Sequence, residues 1–393
     1  MKHILISSLC LFFLCLASQA QSLDSLTVQA NNIKVEYGSS SERYLTALNE
    51  IVKVANAQED YETAYKFRKE YYLIVKEKFG VDSPEYADAC VRMGTVSYRL
   101  FGASEGLKFY QEGTALFEKL RIVNYIYIGG LSLMSEILDR EGNRNDGFLV
   151  REKLIQVLET VEEEYVDELL SAYIGTYPFL LESGKGEQQI LYMQKAQHLI
   201  KKYNIAANVL DMAAVAFGVP RICYRTEGKY NRAIEAGKVS QKFYADTFGE
   251  DCIPYAQYSI LIGFDYYFIK DLKTCRNYLV DGINRLERAY SLAGAYVESD
   301  DAYLGALVFM AVQYEADDDL TNANICRQKA DRVFRCRNDI ESLDFTDNLH
   351  SLYLNYSMTG QFLQMTKVFN ELEPLVRKYY GEESDEYFRF ITG

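Results

Sequence analysis

The 393-residue chain contains no tryptophan, five prolines and three histidines. So few prolines, with no Gly/Ser-rich tract, exclude a flexible interdomain linker. After the N-terminus no segment offers eighteen uninterrupted apolar residues. The nearest, from Ile205 to Cys223, is broken by Asn208, Asp211 and Pro220, so no later membrane insertion is expected. There is no Gly-x-x-x-x-Gly-Lys phosphate loop and no Gly-x-Ser-x-Gly nucleophile elbow. His198 and His350 have no second histidine or cysteine at metal-ligand spacing. The expectation is therefore no catalytic residue, no metal and no cofactor. Positive charge is also short, with 42 Lys and Arg against 56 Asp and Glu and a net charge of −14. A surface of that sign disfavours nucleic acid.

Residues 1–20 have the pattern of a secretory signal. Lys2 and His3 precede an apolar run from Ile4 to Ala17, and Ser18-Gln19-Ala20 places small residues at a cleavage site. Cleavage before Gln21 and a periplasmic or secreted location are expected. Cys10 and Cys15 follow leucines rather than the small residue that precedes a lipidated cysteine, so no lipid anchor is expected. Residues 21–40 form a lead-in.

From about Ser41 onward the apolar spacing is helical, as in Leu45, Leu48, Val52 and Ala55. The stretch from Thr226 to Lys238 reads as helix end, tight turn and new helix. Gly228 supplies the turn, Tyr230 opens the next helix and Ala233 is a small contact residue. The Gly228 position is held elsewhere by Glu59, Gly102, Gly142, Gly184, Lys270, Asp318 and Gly360, at separations of 43, 40, 42, 44, 42, 48 and 42 residues. Five residues after each stand Ala64, Leu107, Gly147, Gln189, Cys275, Ala323 and Met365. Four before several of them stand Tyr98, Tyr224, Tyr266, Tyr314 and Tyr356. A constant phase of this kind marks an array of helical hairpins.

A second marker keeps the same period. The run from Phe79 to Ala87, with Gly80, Ser83, Pro84 and Tyr86, returns from Phe248 to Ala256 and from Tyr380 to Phe388. Gly80, Gly249 and Gly381 suit helix ends, and Ser83 and Ser384 suit N-caps. Pro178 and Pro220 fall inside first helices of consecutive hairpins, where kinks are expected.

The Gly-x-Tyr-x-x-Ala turn with its upstream tyrosine resembles tetratricopeptide repeats. The length near 42 and the joint from Phe79 to Ala87 are similar to the long variety typified by kinesin light chain. The resemblance implies an all-α fold, a right-handed α-solenoid of about eight helical hairpins over 41–381. A C-terminal capping helix over 382–393 follows. It also implies that first helices line a binding groove, here Asn49, Lys53, Arg92, Arg99, Glu136, Ile222, Arg225, Phe264, Tyr267, Val312 and His350. Met93 and Gly129 stand where the family's clamp for chaperone tails has other residues, so that clamp is not expected.

The mature cysteines, Cys90, Cys223, Cys252, Cys275, Cys326 and Cys336, read as small core residues more than as a disulfide set. Cys326 and Cys336 sit about 15 Å apart along one helix and cannot pair. Asp300-Asp301 and Asp317 to Asp319 fit helix starts and turns rather than calcium loops. The leading functional expectation is an exported, non-enzymatic interaction scaffold that binds a peptide or protein partner. Two alternatives stand beside it: an adaptor or sensor array for a separately encoded peptidase or regulator, and a glycan-binding repeat protein. Tryptophan's absence weakens the last. Near the C-terminus, Phe388 is left over from the face formed by Tyr387, Phe390 and Ile391. That end is either a plain cap or a dock for a partner or a second copy of the chain, giving a homo-oligomer.

Overall fold

The computed structural model describes residues 22–384 and Tyr387. The expected signal at 1–20 and nearly all of the expected capping helix lie outside the described residues. Among the described residues there is no strand. The helices are α1 (Leu23–Tyr37), α2 (Glu42–Ala57), α3 (Tyr61–Phe79), α4 (Pro84–Phe101), α5 (Ala103–Leu120), α6 (Tyr125–Arg140) and α7 (Arg144–Glu159). Next come α8 (Val166–Ile174), α9 (Tyr177–Glu182), α10 (Gly186–Lys202), α11 (Leu210–Thr226), α12 (Tyr230–Phe248) and α13 (Ile253–Phe268). Last are α14 (Leu272–Leu292), α15 (Asp301–Ala316), α16 (Leu320–Cys336), α17 (Leu343–Met358) and α18 (Phe362–Tyr380). The stretch read as a lead-in thus contains a helix, α1, whose start is capped by Ser22.

The chain forms two compact units that divide between Ser183 and Gly184. The first holds α1 and the hairpins α2/α3, α4/α5 and α6/α7, followed by α8 and α9. Its N-terminal core is built from Tyr44, Leu48, Ile51, Phe67, Met93 and Val96. The second holds α10 and the hairpins α11/α12, α13/α14, α15/α16 and α17/α18. Leu279, Leu286, Leu307, Met310, Val333 and Leu349 lie in its core.

All eight turn positions expected from the repeat have positive φ, from Glu59 at 59° to Gly102 at 86°. Most turns place three residues between their helices, whereas Gly102 alone separates α4 from α5. That contraction shifts the phase by one residue. The buried close contact falls on Gly106, where a Cβ would come within 2.6 Å of Tyr98 Cβ, and not on the expected Leu107, which is half-buried. Ala64, Ala233, Cys275 and Ala323 are buried at the expected position.

The helix-ending glycines depart from a left-handed C′ geometry. Gly80 has φ 81° and ψ 162°, and Gly249 has φ 84° and ψ 163°, a combination open in practice only to glycine. Each thereby turns the chain sharply toward the next N-cap. Ser83 Oγ accepts the Tyr86 amide at 3.2 Å, and Ser384 Oγ accepts the Tyr387 amide at 3.0 Å. The acidic runs act as caps too, with Asp300 and Asp319 accepting the amides of Tyr303 and Asn322.

The two prolines act differently. Pro178 lies in the first turn of α9, just after the break at Gly175 and Thr176. Pro220 lies inside α11, which continues without interruption. The sequence predicts kinks at both; the helical run is interrupted just before Pro178, and Pro220 leaves its helix unbroken.

Candidate functional site

Sequence periodicity accounts for the abundance of tyrosine only in part. Several first helices carry a tyrosine three residues after the N-cap, and its phenol reaches a glutamate of an adjacent second helix. Tyr44 donates to Glu70 at 2.8 Å, Tyr86 to Glu112 at 2.7 Å and Tyr303 to Glu287 at 2.6 Å. Lys34 and Lys329 complete two of these as ion pairs with Glu70 and Glu287. Burial, then the acceptor carboxylate, pushes the Tyr303 phenol well above its ordinary value. The first two close a single hairpin, α2 on α3 and α4 on α5, and the third joins α15 to α14 of the preceding hairpin; all leave other faces of the first helices open.

In the first unit, five expected groove residues lie on first helices. Asn49 and exposed Lys53 are on α2, Arg92 and Arg99 on α4, and Glu136 on α6. Asn49 Oδ1 accepts from Arg68 Nη1 at 2.5 Å. Arg68 is buried, and its Nε finds no partner. Burial first, and the Arg92 charge second, push its guanidinium down to about 10. Arg92 is held by Asp88 at 2.7 Å. Arg99 reaches Asn56 at 3.4 Å and covers the Tyr61 ring. Glu136 borders a cavity of about 570 Å³ between α6 and α8.

The second unit brings more of its residues together. Ile222 and Arg225 lie on α11, Phe264 and Tyr267 on α13, and Val312 on α15. Phe264 and Tyr267 both meet Phe309 edge-on, at centroid distances of 5.4 and 4.9 Å. Arg225 covers the Phe268 ring and lies 3.8 Å from Asp265. Ile222 and Val312 are 44% and 47% exposed and sit one helical turn from Arg225 and Phe309, on the same faces. The result is an aromatic strip across three successive first helices, with an apolar residue open to solvent at each end. Sequence reasoning missed Phe309 and Phe268. The signal for Phe309 was its position three residues before Val312. His350 lies on α17, and partial burial lowers its imidazole below the ordinary value.

Beneath the strip lies a buried ion pair. Arg221 Nε donates to Asp265 Oδ2 at 2.7 Å and Arg221 Nη2 to the Leu261 carbonyl at 2.7 Å. Burial raises the Asp265 carboxyl, against the opposing charge of Arg221.

Cys90, Cys223, Cys275 and Cys326 are buried free thiols, while Cys252 is half-buried and Cys336 exposed. His198 is exposed on α10. Among the described residues no group of three His, Cys, Asp or Glu side chains is placed to hold a metal. No described helix is long and apolar enough to cross a membrane.

Repeated capped hairpins, with small residues buried at a fixed phase, define an all-α array of helical hairpins. No family model matches the sequence, and no curated protein does. Solved structures similar in fold include the C-terminal part of a TPR repeat-containing protein from Cytophaga hutchinsonii. It is 13% identical with a TM-score of 0.49, over 76% of this chain and 98% of that one. The apo form of RapI is 13% identical with a TM-score of 0.46, over 88% and 95%. A Rap protein complexed with competence and sporulation factor is 11% identical with a TM-score of 0.34, over 91% and 99%.

Proposed function

We propose that this chain is an exported, non-enzymatic scaffold that captures an extended peptide or protein segment on the first-helix faces of its hairpins. The aromatic strip of Phe264, Tyr267 and Phe309, ended by exposed Ile222 and Val312, carries the reading. Aromatic rings already packed against one another bind at low entropic cost, and their half-exposed edges still have area to bury. Residues that latch hairpins lie elsewhere, so the strip is free of a structural duty at its exposed ends. Export rests on the pattern of residues 1–20.

The test is peptide display on the full mature chain, followed by affinity measurement for an enriched peptide. Ile222→Asp and Val312→Asp change exposed positions and should each weaken binding at least about tenfold with the fold intact. Peptides that bind both variants as well as the parent would remove the strip from the site. Leader processing is read by N-terminal sequencing of the envelope form, which should begin at Gln21.

A further inference from the structure

The cavity between α6 and α8 has a chemistry of its own. Its walls include small residues, Gly129 and Ser132 from α6, Ser171 from α8 and Gly175 just after it. A Cβ added at Gly129 would meet nothing within 4 Å, so this glycine leaves space rather than admitting a close neighbour. At about 570 Å³ the cavity lies in the range of ligand sites. Ser135 lines it, is 1% exposed, and its Oγ has no hydrogen-bond partner. A buried hydroxyl without a partner costs free energy that a guest group would recover.

The mouth is acidic. Glu136 from α6 and Asp167 and Glu168 from the first turn of α8 border it. Arg151, the one cation in the lining, is already engaged by Asp139 at 2.9 Å and by the Gly175 carbonyl. Glu136 lies 3.8 Å from Arg140. Tyr125 and Tyr165 also line the cavity.

We infer that this cavity takes a basic side chain, lysine or arginine, from a peptide segment held by the first-helix faces of the first unit. The aliphatic stem lies along Gly129 and the small residues, flanked by the tyrosine rings. The cationic head meets Glu136, Asp167 and Glu168, and an N–H of the guest donates to Ser135 Oγ. Charge-assisted bonds of this kind are stronger than neutral ones, and a cation beside tyrosine adds to them. The inference rests on the peptide-binding reading above.

Random peptide display on the full chain tests it. Selected peptides should carry Lys or Arg at one fixed position, and replacing that residue by Ala should weaken binding at least about tenfold. Gly129→Leu fills open space and should keep the melting temperature while abolishing the preference. The triple change Glu136→Gln, Asp167→Asn and Glu168→Gln alters exposed positions and should remove the preference without filling the cavity. Enriched peptides with no fixed basic position overturn the cavity assignment alone, as does a basic preference that survives both variants. Failure to enrich any peptide overturns the scaffold reading, and this inference with it.

Discussion

Gln197 donates its side-chain amide to the Ala216 carbonyl at 2.8 Å, the acceptor that Pro220 leaves without its backbone donor. The next carbonyl, that of Phe217, accepts from Ser240 Oγ at 2.7 Å. Side chains of α10 and α12 thus serve carbonyls of α11 around the proline, and the helix continues through it. Gln197→Leu should cost about 1–3 kcal/mol by stranding a poorly solvated carbonyl. In a Pro220→Ala background the residue-220 amide returns, and the cost should shrink. A double-mutant cycle from urea unfolding measures the coupling; additive changes would show that Gln197 does not compensate for the proline.

Two glycines within helices should respond oppositely to alanine. At Gly113 a Cβ would come within 2.8 Å of the Ala87 carbonyl oxygen and 2.8 Å of Val91 Cγ2. Gly113→Ala must push two first-unit helices apart, at about 1–3 kcal/mol. Gly129→Ala meets open space and should stabilise by about 0.5–1 kcal/mol through helix propensity. Thermal unfolding of the two variants side by side checks the signs.

These contrasts show where the sequence was informative. The eight turns were legible because period and turn chemistry are local properties; Glu59, Lys270 and Asp318 take positive φ through their phase in the repeat rather than their residue type. The contraction at Gly102 was not, since it changes the phase by one residue without changing any residue type. Phe264 and Tyr267 could be assigned by their phase on a first helix, whereas Phe309 becomes part of the strip only through contacts between helices. The latch of Tyr303 on Glu287 spans sixteen residues across two helices, a separation that no helical period marks. Nothing in the sequence marked Gly129 and Ser135 as cavity residues, because small side chains look alike whether they admit a neighbour or leave a cavity.

Acid should weaken the array through its caps. Hydrogen bonds from the side chain, then the backbone amide, of Thr63 hold Asp60 below its ordinary value of 3.8. Thr274 does the same for Asp271, and Asn322 for Asp319. Because the folded values lie below the unfolded ones, this stability is fully present above about pH 4 and is lost as pH falls through the folded values. Asparagine caps as well as aspartate but does not titrate. The triple variant Asp60→Asn, Asp271→Asn and Asp319→Asn should therefore match the parent near neutrality and show a shallower acid limb in urea midpoints. Parallel acid limbs would assign acid sensitivity to other carboxylates.

Thiol reactivity should follow burial. In the native protein Cys336 should react first with an aromatic disulfide reagent and Cys252 more slowly. Cys90, Cys275 and Cys326 are doubly protected, being buried and having thiols that burial pushes up to about 12, 11 and 11. Unfolding without reductant should release all six thiols from Cys90 to Cys336; fewer would reveal a disulfide.

The buried pair of Arg221 and Asp265 should be costly to halve and cheap to remove. Burial lowers the guanidinium and raises the carboxyl, each against the pull of its partner. Desolvation therefore exceeds the mutual attraction, so the pair adds little net stability. Asp265→Ala strands a guanidinium that is 4% exposed and should cost about 3–5 kcal/mol. Replacing both groups by apolar residues of similar volume, Arg221→Met with Asp265→Leu, should recover most of that loss. The Arg225 contact with Asp265 also orients a guanidinium over Phe268 within the aromatic strip. The double variant should then recover stability while its affinity for a selected peptide falls. If stability and affinity return together, the pair is a core feature with no part in setting the strip.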